Sequence, residues 1–344
     1  MTPALRVLAP GLLTTVQDLG RAGYQRLGIA AGGALDPVSL RAANALAGNP
    51  PGAGALEIAY TGPTLAIEAD EARLAFVGAP ASIEVLEDVS ASSGRQIDVM
   101  RSVLVRRGEV VRIGSLSGGA VLYVAVEGGF DIAPVLGSVS TYIRGGFGGW
   151  HGRALVAGDQ LPLRRTQASD REELMIEGLD LGTPARLRVI LGPQHNYFSD
   201  GGVETFLGSD YAVSAESDRV GMRLEGPPIT HSRSTDMTSD GIAPGARQRQ
   251  PIVLQVDRQT TGGYPKIATV ISADLPALGQ LPIGAKVSFE PVTLEVAQGL
   301  RRKLAAEVEG IYDRLVPLSP DEPDFMLLDA NLISGVVSAC SWNP

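Results

Sequence analysis

The chain between residues 55 and 128 is a series of short apolar segments separated by turn residues. The segments read LEIAY, TLAIEA, ARLAFVG, ASIEVL, RSVLV, VVRIG and AVLYVAVEG, with Gly, Pro, Asp and Ser between them. Glycine is frequent overall, at 42 of 344 residues, where about 7% is usual. Regularly spaced short strands with such turns are typical of a β-sandwich or β-barrel. We therefore predict a mainly β protein with a few short helices.

A polar, turn-rich stretch near the middle of the chain, RRTQASDREELMIEGLDLGTP, indicates a domain boundary. We predict an N-terminal β-barrel-like domain over residues 1–171, a linker over 172–183 and a C-terminal domain over 184–344. The halves also repeat similar segments in the same order: VLYVAVEGGFDIAPVLGSVSTY resembles VLQVDRQTTGGYPKIATVIS, and LVAGDQLPL resembles LPIGAKVSF. This repetition indicates two related β-barrel-like domains.

Two segments have the signals of helices. Asp36 suits an N-cap, Pro37 suits the first helical position, and Gly48 suits the end of the helix. Thr293 predicts the N-cap of a second helix, in which apolar residues recur at steps of three and four and form one packing face. That face consists of Val296, Leu300, Leu304, Val308, Ile311 and Leu315.

Composition excludes several classes of function. The formal net charge is −9, so a nucleic acid or an anionic membrane is not expected as the main partner. The three histidines lack metal-ligand spacing, and the single cysteine, Cys340, predicts neither a disulfide nor a metal site. We recognise no signal peptide and no apolar run of 18 residues, which predicts a cytoplasmic protein without a membrane span.

Residues 251–275, PIVLQVDRQTTGGYPKIATVISADL, contain the densest set of polar side chains between two strand-like runs. Alternation from Ile252 predicts one strand, and the β-branched run from Ile267 predicts a second. We interpret the segment as a hairpin. It is either a surface turn that carries polar side chains or a rigid support for a polar ligand site. Its candidate site residues are Asp257, Arg258, Gln259, Thr260, Tyr264 and Lys266.

Further candidates lie outside this segment. Asp18 and Arg21 lie in a glycine-rich loop, where they either pair with each other or contribute to an anion site. Arginine and carboxylate groups can orient a planar amide or carboxylate and stabilise charge on a carbonyl or phosphoryl oxygen, although ordinary surface ion pairs remain the alternative. Lys266 could supply such a cation or, when desolvated, accept a proton. The second half adds Asp218, Arg219 and Asp240.

Several long motifs, taken in order, resemble the KipA-like family, also described as subunit 2 of allophanate hydrolase and related to biotin-dependent carboxyltransferases. They are TTVQDLGRAGYQ with GGALD, LGSVSTY with GGWHGRAL, SDRVGMRLEGP, SDGI, PIVLQVDRQTTGGYPKIATVISADL and NLISGVV. The resemblance covers nearly the whole chain. It implies two tandem cyclophilin-like β-barrel domains.

The resemblance implies three alternative activities. The first is ATP-dependent hydrolysis of 5-oxoproline to glutamate, in a complex with two further proteins, one KipI-like and one LamB/YcsF-like. The second is carboxyl transfer from carboxybiotin to urea or another amide, and the third is binding of a kinase inhibitor. The chain has no Met-Lys biotin acceptor and no KipI-like half, which favours the first activity.

The first activity implies that the complex uses ATP with Mg²⁺, that biotin is needed only in the carboxylase alternative, and that this chain itself holds no bound cofactor or metal. The family motifs indicate which stretches matter, and charge suggests the roles. We assign Lys266, Asp218 and Arg258 to catalysis. The residues assigned to substrate or nucleotide binding are Arg219, Asp240, Asp257, Gln259, Thr260, Tyr264, Asp18 and Arg21.

Overall fold

The computed structural model of the chain describes residues 2–182, 186–192, 194–232, 240–241 and 251–318. Cys340 and the motif NLISGVV lie outside the described residues. The helices are α1 (Pro37–Ala47), α2 (Asp200–Gly208), α3 (Leu275–Gln280) and α4 (Leu294–Glu309). Short 3₁₀ turns span Gln25–Leu27, Ile143–Gly145, His195–Tyr197 and Tyr312–Arg314. None of the described helices is both long and apolar enough to cross a membrane.

Strands make up most of the regular structure, as the sequence predicts. Those up to residue 176 are β1 (Ala4–Ala9), β2 (Leu13–Gln17), β3 (Ala55–Ala59), β4 (Thr64–Ile67), β5 (Glu71–Gly78), β6 (Ala81–Leu86), β7 (Arg95–Ile97), β8 (Arg101–Arg106), β9 (Val110–Leu116), β10 (Val121–Val126), β11 (Gln160–Pro162) and β12 (Leu174–Ile176). The later ones are β13 (Leu187–Leu191), β14 (Tyr211–Val213), β15 (Gly221–Glu225), β16 (Asp240–Gly241), β17 (Ile252–Leu254), β18 (Thr261–Gly262), β19 (Ala268–Val270), β20 (Lys286–Val287), β21 (Phe289–Pro291) and β22 (Leu315–Pro317).

The first half of the chain forms two antiparallel sheets around an apolar core. One has the order β11-β1-β4-β9-β6-β7 and the other has the order β2-β3-β10-β5-β8-β12-β22. Strand β10 lies inside the second sheet, between β3 and β5, and all six of its residues are buried. One face of this sheet contributes Leu122 and Val124 to the main core, and the other packs Tyr123 against α1. This double burial explains why the segment VLYVAV is continuously apolar.

Helix α1 begins and ends as the sequence predicts. The Asp36 carboxylate accepts hydrogen bonds from the amides of Val38 at 2.9 Å and Ser39 at 3.1 Å. Gly48 ends the helix in the left-handed region at φ 72°, where glycine has no steric penalty. The cap matters for the site because it fixes residues 32–36, which face the second half of the chain.

The second half has its own apolar core and smaller sheets. Their strand orders are β19-β13-β21, β17-β15-β14-β20 and β16-β18, with β13 and β21 parallel. Phe206 of α2 stacks on Phe289 of β21 in the centre of this core, at a ring-centroid distance of 4.5 Å. The mainly β prediction is thus confirmed, while the cyclophilin-like barrel in each half stays a prediction.

The predicted hairpin of residues 251–275 is wrong in its pairing. Both strands form, but β17 pairs with β15 in the four-stranded sheet, whereas β19 pairs with β13 in the three-stranded sheet. The polar segment between them is a crossover from one sheet to another, and its middle pairs as β18 with β16. The reason is that alternation defines a strand but does not specify its partner.

Helix α4 returns the chain to the first half. Thr293 caps it through a bond from the Val296 amide, as predicted. The apolar face is confirmed at Leu304 and Val308, which join the core around α1, and Ile311, just after the end of the helix, is buried in the same core. It is wrong at Val296, whose side chain is 48% exposed, and Leu315 lies in β22 rather than on the helix. Strand β22 then pairs with β12, so a strand from within the proposed linker and a strand of the proposed C-terminal domain lie side by side in the sheet of the first half. The domain boundaries stay a prediction.

Candidate functional site

Asp18, immediately after β2, ties two glycine-rich loops together. Its carboxylate accepts hydrogen bonds from both neighbouring serine hydroxyls, Ser138 at 2.6 Å and Ser140 at 2.5 Å. It also accepts the amides of Val139 and Gly20, each at 2.7 Å. Three donors bind Oδ1 and one binds Oδ2 of this buried carboxylate, so Asp18 holds the loops in place. Its role in ligand binding stays a prediction.

Arg21 lies between these loops and is 1% exposed. Its Nη2 donates to the Ser140 carbonyl, and its guanidinium carbon lies 5.0 Å from the centroid of the Phe147 ring, in a cation–π contact. Among the described residues, its Nε and Nη1 have no hydrogen-bond partner. Burial lowers the pKa of Arg21, and the negative charges of Asp18 and Asp257 act against that effect. A buried cation with unused donors is a ready receptor for an anion.

Two glycines leave room for this guanidinium. A Cβ placed on Gly148, where φ is 72°, would lie 2.9 Å from Nη2 of Arg21. A Cβ on Gly32, where φ is 63°, would lie 3.2 Å from Nη1 and 3.4 Å from Oδ1 of Asp257. Both positions combine a left-handed backbone with crowding, which is why glycine is required there.

Arg219 joins the two halves of the chain and is 7% exposed. Its Nε donates to Asp257 at 2.9 Å, and its Nη1 donates to Glu57 in β3. Its Nη2 donates to the Gly33 carbonyl at 2.5 Å. Burial alone lowers the pKa of Arg219, but the carboxylates of Glu57 and Asp257 outweigh it and raise the pKa above its ordinary value. The side chain therefore keeps its positive charge and links the two halves through ion pairs.

Glu57 is a site residue that the sequence prediction missed. Its Oε2 accepts the Tyr123 hydroxyl at 2.6 Å and the Leu35 amide at 2.8 Å. Burial and the adjacent Glu57 charge raise the pKa of Tyr123 well above its usual range. The signal in the sequence was a carboxylate within the buried strand ALEIA, because such a charge needs a partner.

Further hydrogen bonds hold the residues at the junction between the halves. The Gly32 amide donates to the Val256 carbonyl at 3.2 Å, and the Asp257 amide donates to the Arg219 carbonyl at 2.9 Å. The Gln280 side chain of α3 donates to the Asp36 carboxylate at 2.9 Å. The loop at residues 32–36 thus caps α1 and also receives the second half.

The remaining predicted residues lie around this junction. Asp218 is exposed, and its carboxylate accepts the amides of Val220 and Gly221 at 2.9 Å each. It also lines a small cleft of about 80 Å³ together with Tyr60 and Arg219. Arg258 is half-buried, its Nη1 donates to the Gln255 carbonyl at 3.0 Å, and desolvation lowers its pKa.

The crossover segment holds the others. Gln259 donates to the hydroxyl of Tyr264, which is buried in a small apolar cluster with Leu254. Thr260 is half-buried just before β18. Lys266 is half-buried before β19, and its amide donates to the Gln194 side chain at 3.0 Å. Asp240 pairs through its backbone with Gly262, and its side chain lies outside the described part of the chain.

The structure therefore brings together Asp18, Arg21, Arg219 and Asp257 from the predicted set, and adds Glu57. Within the described residues, no group of three or more His, Cys, Asp and Glu side chains is arranged to hold a metal ion. Glu57 and Asp257 neutralise Arg219. The Nε and Nη1 donors of Arg21, which have no partner among the described residues, can bind an oxygen of a small anion and stabilise negative charge that develops on a carbonyl oxygen.

Several known proteins resemble this chain over most of its length. The family model described as "Carboxyltransferase domain, subdomain A and B" matches residues 27–291. The chain is 36% identical to the C subunit of 5-oxoprolinase from Escherichia coli over 315 residues, which cover 90% of this chain and 98% of that protein. It is also 36% identical to the corresponding 5-oxoprolinase subunit from Haemophilus influenzae, over 84% of this chain and 91% of that protein.

Among solved structures, the chain resembles the urea carboxylase of Kluyveromyces lactis, with a TM-score of 0.81 and 30% identity. The match covers 93% of this chain but only 30% of that protein. The two kinds of relative thus differ in how much of their length this chain accounts for.

Proposed function

Because this chain belongs to the family of carboxyltransferase domains with subdomains A and B, we propose that it is the C subunit of a 5-oxoprolinase. The observation that carries this function is the 36% identity to the E. coli protein over 98% of its length. The complex is an ATP-dependent hydrolase that converts 5-oxo-L-proline to L-glutamate. The finer architecture, a pair of cyclophilin-like β-barrels, is part of the same proposal and is supported by the two separate apolar cores.

The proposed partners are a KipI-like protein and a LamB/YcsF-like protein, which are the other two members of the complex, and the complex uses ATP with Mg²⁺. The γ-phosphoryl group of ATP transfers to the lactam oxygen, which leaves ADP. Water adds to the activated carbon, and the ring C–N bond breaks as the nitrogen takes up a proton, which leaves a glutamyl phosphate. A second water then cleaves this acyl phosphate to L-glutamate and inorganic phosphate. This chain contributes binding and charge stabilisation to a cleft that it shares with the KipI-like protein.

The contacts suggest a division of roles within the site. Arg21 offers its unused donors to an oxygen of the substrate or of the transferred group, since its charge is already buried and oriented. Asp18, Arg219 and Asp257 act as positioning residues, because protein groups already occupy them. The proposed catalytic residues remain Lys266, Asp218 and Arg258, with Gln259, Thr260, Tyr264 and Asp240 around them.

The test is to reconstitute the complex. We expect the chain, co-purified with its KipI-like and LamB/YcsF-like partners, to form glutamate from 5-oxoproline in an ATP-dependent reaction. Omission of any one protein should abolish glutamate formation. An assembled three-protein complex that forms no glutamate would rule the function out.

A second candidate function is the carboxyltransferase component of a biotin-dependent carboxylase. It is favoured by the TM-score of 0.81 to urea carboxylase. The reconstituted system distinguishes the two, since carboxyl transfer requires a biotinylated carrier protein and bicarbonate, and yields a carboxylated amide instead of glutamate.

Replacement of Lys266 by alanine tests the catalytic assignment. We expect Lys266→Ala to lower the turnover number about 100-fold, because a cation that stabilises developing negative charge is lost. Steady-state glutamate formation by the assembled complex gives the value. The matched control is Lys286→Ala, which removes an exposed lysine of β20 and should leave turnover unchanged. Full activity of Lys266→Ala would show that this lysine has no catalytic role.

A further inference from the structure

A small cleft lies at the junction between the two halves of the chain. Its volume is about 80 Å³, and its lining includes Tyr60 from the first half and Asp218, Arg219 and Gln255 from the second. Pockets for drug-sized ligands enclose roughly 300–1,000 Å³. This cleft therefore has room for part of a small ring and not for a nucleotide.

The walls of the cleft are mostly apolar. The first half contributes Leu13 and Tyr60, and the second half contributes Val213 and Leu281, both of which are buried. Apolar walls suit the methylene groups of a small ring, because apolar surface that leaves water on binding is favourable. A few polar groups among such walls would then fix the orientation of the ring.

Arg219 borders the cleft, but its nitrogens already donate to protein oxygens. Its Nε donates to Asp257, its Nη1 to Glu57 and its Nη2 to the Gly33 carbonyl. Its charge is neutralised by the two carboxylates. Recognition of a ligand in the cleft therefore depends on other polar side chains.

Gln255 has an unused polar side chain in this cleft. The residue is half-buried, and its carboxamide forms no hydrogen bond with any residue that the structure describes. Its backbone, in contrast, is fixed: the amide donates to the Val220 carbonyl at 3.0 Å, and the carbonyl accepts Nη1 of Arg258 at 3.0 Å. A fixed residue with both a free donor and a free acceptor is suited to bind a ligand that has the complementary pair.

Asp218 is held beside Gln255 by the same stretch of backbone. Its Oδ1 accepts the amides of Val220 and Gly221 at 2.9 Å each, while the Val220 carbonyl accepts the Gln255 amide. No donor from the described part of the chain binds Oδ2 of Asp218. Two side chains with free polar atoms thus border one cavity, and Val220 fixes their backbones relative to each other.

We propose that Gln255 recognises the amide edge of a small lactam in this cleft. This rests on the proposed function, which supplies 5-oxo-L-proline as the lactam. A five-membered lactam is a cis amide, so its N–H and its carbonyl oxygen lie on the same side and can face one carboxamide. Oε1 of Gln255 accepts the lactam N–H, and Nε2 donates to the lactam oxygen, whose second lone pair stays available for phosphorylation.

The same pairing makes Gln255 a specificity-determining residue. Open-chain peptide amides are trans and hold their N–H and carbonyl oxygen on opposite sides, so one carboxamide cannot bind both groups. The ring methylenes of the lactam contact the apolar walls, and Asp218 lies beside the reacting amide. A site that binds a ligand through hydrogen bonds rejects an analogue that lacks one of the groups.

The experiment is calorimetric titration of the assembled complex, without ATP, with 5-oxo-L-proline and with N-methyl-5-oxo-L-proline, which lacks the lactam N–H. The unmodified complex should bind 5-oxo-L-proline at least about 10-fold more tightly than the N-methyl analogue. Gln255→Met keeps the approximate shape of the side chain and removes both hydrogen-bonding groups. It should weaken binding of 5-oxo-L-proline about 30-fold, the factor for two hydrogen bonds, and remove the preference over the analogue.

The control is Gln298→Met, which changes an exposed glutamine of α4 and should keep both the affinity and the preference. Thermal unfolding checks the fold of each variant. A second variant, Gln255→Glu, keeps the polar surface and one acceptor but loses the donor, and it should also weaken binding of 5-oxo-L-proline.

The inference is overturned if the Gln255 variants keep their affinity for 5-oxo-L-proline, or if they weaken both ligands equally, as a purely structural role would. It is also overturned if the unmodified complex binds the two ligands equally well or binds neither. A failure of the proposed function gives a different result, namely an assembled complex that binds 5-oxo-L-proline and forms no glutamate.

Discussion

Arg219→Met is expected to lower the free energy of unfolding by about 3–5 kcal/mol. Methionine keeps much of the length of the side chain but removes the charge between Glu57 and Asp257. Both carboxylates are buried, at 3% exposure each, and the Gly33 carbonyl also loses its donor. Removing one partner of a buried ion pair leaves uncompensated charge, which is why the loss is large. Urea denaturation at neutral pH measures it.

The control is Arg107→Met, which breaks the surface pair with Asp70, where the two side chains are 45% and 54% exposed. Exposed pairs contribute about 0–1 kcal/mol, so the control should change little. Neutralising Glu57 in the same chain, as Arg219→Met/Glu57→Gln, should recover part of the lost stability. If Arg219→Met lowers the free energy of unfolding no more than Arg107→Met does, the ion pairs of Arg219 contribute nothing to stability.

Arg21→Met is expected to lower the turnover number of the assembled complex about 1,000-fold. This is the upper range for removing a preorganised donor from a site that excludes water. Arg21 is enclosed by Phe147, Gly32 and Gly148, and its Nε and Nη1 have no partner among the described residues. Steady-state kinetics with 5-oxoproline should place most of the loss in kcat, because the guanidinium stabilises a negative charge that develops only during the reaction.

The control for Arg21 is Arg106→Met, which removes an arginine that is 67% exposed. Arg21→Lys should restore little activity, because a lysine cannot donate to Ser140 and to a ligand with the same geometry. An Arg21→Met enzyme that keeps its fold and its normal turnover would contradict the role of anion receptor.

Local features of the fold were predictable from the sequence, while pairings between distant segments were not. The caps at Asp36 and Thr293 depend on residues within one helical turn, so the pattern contains all the necessary information. The partners of β17 and β19 depend on where the rest of the second half packs, and an alternating pattern says nothing about that. The mainly β class was predictable because it depends on composition and spacing alone.

Some residues of the candidate site were likewise predictable from the sequence, and others were not. Charge and glycine content indicated Arg21, Arg219 and Asp257, which the structure does bring together through the loop at residues 32–36. The sequence could not reveal that four donors occupy Asp18, because Ser138, Val139 and Ser140 are far away along the chain. Glu57 was missed because the sequence shows a single acid in an apolar strand but does not show which cation pairs with it.

The pairing of β12 with β22 has a consequence for how the second half is attached. Ile176 lies opposite Leu315, so the polypeptide leaves the first sheet and returns to it on neighbouring strands, about 4.8 Å apart. The described part of the second half is thus attached to the first sheet at both of its ends, and two attachments restrain it more than a single linker would.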